Sequence, residues 1–130
     1  MVSYINNGEK SKLAKALGKV ARRVRELEKR AGTELFEHGD QQKSADLMRK
    51  KAELISELPR IAAPYLDELQ PGGREEVEER LESFAAGARR SLAIGSVFYM
   101  TNLLYDEDHG PDGPNNLETL RSEIHTRIGG

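Results

Sequence analysis

Near the amino end, Leu13, Leu17, Val20, Val24, Leu27 and Ala31 follow one another in steps of four and three. That spacing places all six on one side of an α-helix and is the seam of a coiled coil or a bundle helix. Ala14, Ala16 and Ala21 flank the seam and widen it. A wide stripe suits a helix that touches more than one neighbour, and the heptad pattern lasts only about three repeats. The expectation is therefore a bundle helix folded against its own chain, running from about Glu9 to Ala31, with Asn7 as N-cap and Gly32 at C′.

The helical period continues downstream, and no run of alternating apolar residues argues for a strand. A second helix is expected over Gln41–Leu58, preceded by Asp40 and ended by Pro59. A short third segment carries Ile61, Tyr65, Leu66 and Leu69, and Gln70-Pro71-Gly72-Gly73 is a break. The fourth helix is expected from Arg74 to Tyr105, long and central. Its second half, Leu92–Leu104, has no polar face and should be covered on most sides. A last helix over Asn116–Ile128 opens with Asn115 and Glu118 at capping-box spacing. With 130 residues, this describes one all-α domain over residues 1–130, a bundle of four to five helices. The first two helices should form an antiparallel pair.

Within the fourth helix, Gly87, Ser91 and Gly95 fall at steps of four and leave one stripe with little side-chain bulk. Each helix-interior Gly costs about 1 kcal/mol relative to Ala. The stripe therefore points to close helix packing or self-association.

Charge is unevenly distributed. Residues 1–51 hold 13 Lys and Arg against seven Asp and Glu, and the remainder of the chain reverses the balance, for a net charge of −2. Lys12, Lys15, Lys19, Arg22, Arg25 and Lys29 face away from the apolar seam and form a cationic strip on the first helix. Such a strip is a solvated face, a docking surface for an acidic protein or a second copy, or a phosphate-binding surface. The isoelectric point near 6.0 is low for a nucleic-acid-binding domain. The first helix also has no aromatic to stack on a base, so nucleic acid would be held through its backbone.

Several chemistries are excluded. There is no Cys, which removes thiol catalysis, disulfides and Cys-ligated metals. His38, His109 and His125 stand in no metalloprotease or nucleophile motif, and Gly18-Lys19 lacks the rest of a phosphate loop. The loop Asp106–Asp112 starts like a calcium loop but loses the register at Gly110 and Pro111. Glu75-Glu76-Val77-Glu78-Glu79 resembles the Glu-rich, magnesium-binding helix of all-α nucleotide pyrophosphohydrolases. Residues 90–105 supply no second set of carboxylates, and a helix-dipole complement explains the cluster more simply. A metal-dependent hydrolase would need those carboxylates and His109 to converge.

No motif calls for a cofactor or identifies a small-molecule substrate. The first residues lack a basic segment followed by an apolar run, and the most apolar stretch has 13 residues, short of the about 20 that span a bilayer. The expectation is a cytoplasmic, non-enzymatic interaction module that self-associates or binds a protein partner. The alternative is a nucleic-acid-binding accessory protein using the basic face.

Overall fold

A computed structural model describes residues 11–106 and 112–124. Among them there is no strand. The helices are α1 (Lys12–Phe36), α2 (Gln41–Ser56), α3 (Leu58–Ala62), α4 (Pro71–Ile94), α5 (Val97–Asn102) and α6 (Asn116–Glu123). A 3₁₀ turn, Ala63–Glu68, follows α3 directly. The all-α bundle expected from the periodicity is what the chain forms.

The seam of α1 is enclosed along its whole length: Leu13, Leu17, Val20, Val24, Leu27 and Ala31 are all buried, with Ala14, Gly18 and Ala21 beside them. Ser11 caps this helix by accepting from the Ala14 amide. Glu68 of the 3₁₀ turn completes the cap, accepting from the Ser11 hydroxyl at 2.6 Å and the Leu13 amide at 2.9 Å. A carboxylate there meets the positive end of the helix dipole. Asn7, the expected cap, lies outside the described residues. Gly32 does not end the helix. The chain turns at Gly39, whose left-handed φ of 63° the reversal requires. Asp40 then caps α2 through the Lys43 amide. Glu28 and Lys51 pair across this turn at nearly equal distances along the chain, so α1 and α2 run antiparallel.

The fourth helix departs from expectation at both ends. It starts at Pro71, a residue pre-set for the first helical position, and not at Arg74. The Glu cluster therefore lies beyond the first turn, where a helix-dipole complement has faded. At the other end Gly95 adopts φ 66°. Its amide bonds to Leu92 O, and the Ser96 amide bonds to Ser91 O, which is the Schellman closure of a helix. Ser96 then caps α5 through the Tyr99 amide. A Gly-Ser pair thus divides what the apolar pattern joined.

That break redistributes the core. Val77, Leu81, Ala85 and Ala88 of α4 are buried, but in Leu92–Leu104 only Met100 and Leu104 are. Ile94, Phe98 and Tyr99 face solvent. The expected wrapping of this stretch is not found, because the turn at Gly95-Ser96 redirects α5 and buries it on one side alone. Two helices share the middle of the bundle: α1 packs on α2, α3, the 3₁₀ turn and α6, and α2 packs on α1, α3, α4 and α5.

The last helix has the capping box expected of it: Asn115 accepts from the Glu118 amide, and Glu118 from the Asn115 amide. Leu104 holds φ 74°, a conformation costing about 1–2 kcal/mol for a residue with a β-carbon. Its buried side chain and the bond from the Asn116 amide to its carbonyl (2.8 Å) keep it there.

Candidate functional site

A second stripe on α1, Ala14, Gly18, Ala21 and Arg25, runs beside the seam at steps of four, three and four. The three small residues let α6 approach. At Gly18 an added β-carbon would stand 2.8 Å from Arg121 Nε, which donates to Ala14 O at 2.9 Å. This approach delivers Glu118 to Arg25.

Arg25 consequently turns inward, against the expectation that it belongs to the exposed strip. Its Nε and Nη2 donate to the two oxygens of Glu118 at 3.1 and 2.7 Å. Nη2 also donates to Gly113 O, and Nη1 to the Tyr105 hydroxyl at 2.9 Å. Tyr105 donates in turn to Glu28 Oε1 at 2.7 Å. The other Glu28 oxygen lies 2.8 Å from Lys51 Nζ, which donates to Thr101 O and sits 5.2 Å from the Tyr105 ring centroid. The chain of contacts ties α1 to α2, α5 and α6.

Lys51 is 0% exposed. Burial lowers its pKa, and the bond to Glu28 opposes that shift. Burial also raises the Tyr105 pKa, reinforced by Glu28. Glu118 is shifted down, chiefly by its bonds from Arg25. The charge pattern does not single out Lys51, but Leu47, Met48, Ala52 and Ile55 set a helical face on which position 51 falls inside. Two cations, Arg25 and Lys51, face two carboxylates, Glu118 and Glu28, so this is a charge-balanced structural network in which Glu28 Oε2 is held by ion pairing with Lys51 and not by a well-aligned hydrogen bond.

The rest of the basic strip stays outside. Lys12, Lys15, Lys19, Arg22 and Lys29 are exposed, and no ion pair engages them among the described residues. Lys12, Lys15 and Lys19 border a cleft of about 380 Å³ with Ile61 and Tyr65. Arg22 and Lys29 border another, about 510 Å³, toward α6.

An apolar groove of about 350 Å³ opens between the last turns of α1, the start of α2 and α5. Leu35, Phe36, Ala31 and Met48 form its walls, with Thr101, Asn102 and Tyr105 opposite. Phe36 is 83% exposed at its edge, and Phe98, one helical turn before Thr101 and Asn102, is 72% exposed.

The stripe of small residues does not serve as expected within the chain. Gly95 is a left-handed cap with open space around it, and a β-carbon on Gly87 would meet only Leu103 at an ordinary 3.6 Å. Ser91 is buried and donates to Ala88 O. His38 lies in solvent beside Glu34, with Nδ1 3.1 Å from its carboxylate. His109, His125 and the middle of the Asp106–Asp112 loop lie outside the described residues. Among the described residues no three His, Asp or Glu are grouped to hold a metal ion, and no helix is long and apolar enough to cross a membrane. Compared with protein-family models, with curated proteins and with solved structures, the chain finds no match.

Proposed function

We propose that this protein is a non-catalytic interaction module that pairs with a second copy of itself through the apolar end built by α5 and the last turn of α1. The exposure of Phe36 and Phe98 carries this proposal. Single exposed apolar side chains are ordinary, but here Ile94 and Tyr99 join Phe98, and Leu35 joins Phe36 at the lip of a groove. A knob and a hollow on neighbouring parts of one surface let two copies fill each other about a twofold axis.

Sedimentation equilibrium tests it. A dimer that dissociates on replacing Phe36 and Phe98 by Ser is the expected result. A wild-type chain that stays monomeric at high concentration overturns it.

A second reading, a nucleic-acid-binding accessory protein, is favoured by a separate observation: five exposed cations on one face of α1, none of them ion-paired among the described residues. It predicts binding that weakens steeply with salt and is lost when Lys15, Lys19 and Arg22 are reversed to Glu. Lys12 and Lys29 belong to the same face. Arg25 does not, since Glu118 occupies it.

A further inference from the structure

We infer that the cleft between the first turns of α1 and the 3₁₀ turn is a site for single-stranded nucleic acid, in which Lys12, Lys15 and Lys19 hold phosphates and the Tyr65 ring carries a base. The inference rests on the second reading above and adds a platform that the first helix alone lacks. An aromatic ring was missing from the basic strip as a sequence, and the fold supplies one from a segment about fifty residues downstream.

The composition of the cleft favours this ligand. Three ammonium groups border it, and no carboxylate does among the described residues. Of the two carboxylates of the adjoining 3₁₀ turn, neither lines the cleft: one is ion-paired, and the other keeps its charge at the cleft's edge, where it caps α1 as one charge against three lysines. Asp67 pairs with Arg74 at 2.6 Å, and Glu68 is held by Ser11 and the Leu13 amide. The lysines therefore present net positive charge to whatever enters.

Tyr65 and Ile61 form the other wall, one turn apart and half-buried against the core. A ring anchored on one side and open on the other loses little freedom when a base stacks on it. Arg22 continues the cationic row, about 15 Å along the helix from Lys12, so successive phosphates of one strand find successive cations. A free anion would use only the ammonium groups, and an acidic peptide would leave the ring idle.

Fluorescence anisotropy with a labelled oligothymidine and an abasic strand of equal length separates the two parts of the site. With four cations on phosphates, affinity should fall roughly fiftyfold between about 50 and 200 mM salt. The intact strand should bind about tenfold more tightly than the abasic one. Tyr65→Phe should keep that ratio, Tyr65→Ala should bring it to one, and the Lys15→Glu, Lys19→Glu double variant should lose both strands. Equal affinity of the wild-type chain for intact and abasic strands overturns the platform and leaves the basic face standing. No binding of either strand at low salt overturns both.

Discussion

Lys51 and Phe98 stand on helices that pack together, yet each occupies the environment expected of the other. The lysine is fully enclosed, while the phenylalanine has most of its surface in water. Around Lys51, every charge entering the interior brings a partner: Glu28 for Lys51, Glu118 for Arg25, with Tyr105 between them. Around Phe98, a glycine turn lays a short helix on α2 and α4 by one side only, and no other segment among the described residues covers its outer face. Side-chain polarity alone therefore did not decide which residues went inside. The availability of a partner, for charge or for apolar surface, did.

Breaking the Lys51 side of this contrast should have the largest effect. Lys51→Ala leaves the half-buried Glu28 with one cation fewer and opens a cavity where the lysine was enclosed, and a loss of about 3 kcal/mol is expected in urea unfolding. Replacing Glu28 and Lys51 together by Gln and Met should be much less harmful than the sum of the single changes.

Glu118→Gln should cost about 1–2 kcal/mol at neutral pH by weakening the fork to Arg25. Because the fold lowers the Glu118 pKa, its contribution is present above the ordinary carboxylate value and lost as pH falls below about 4. The stability difference between the parent and this variant should therefore shrink in acid, as thermal unfolding across pH will show.

Two smaller changes sharpen the Phe98 side. Gly95→Ala forces a β-carbon into the left-handed region and should destabilise by about 1 kcal/mol, measured by thermal melting. Phe98→Ser should leave the stability of the dilute chain within about 0.5 kcal/mol, since little of its ring is removed from water. An uninterrupted helix through residue 95 would reverse the sign of the first and enlarge the second.

Much of this architecture was legible in the sequence. The α1 seam and the Asn115/Glu118 capping box each depend on residues a few positions apart, and each formed as the spacing indicated. The Gly95-Ser96 break was also written locally, as a left-handed cap followed by an N-cap. The apolar residues on either side masked it. Arg25 and Lys51 required knowledge of what packs opposite them, and Tyr65 reaches the basic face only through tertiary folding. Gly95 ends a helix instead of lining one, so within the chain the small-residue stripe brings no helix into close approach.

Covalent footprinting read by mass spectrometry tests the exchanged environments most directly. With lysine acylation and hydroxyl-radical oxidation applied to the dilute native chain, Lys51 and Met100 should be protected until unfolding. Lys15, Lys19, Phe36 and Phe98 should react at once. A Lys51 that acylates as fast as Lys15, or a Phe98 that resists oxidation in the isolated protomer, would contradict the account.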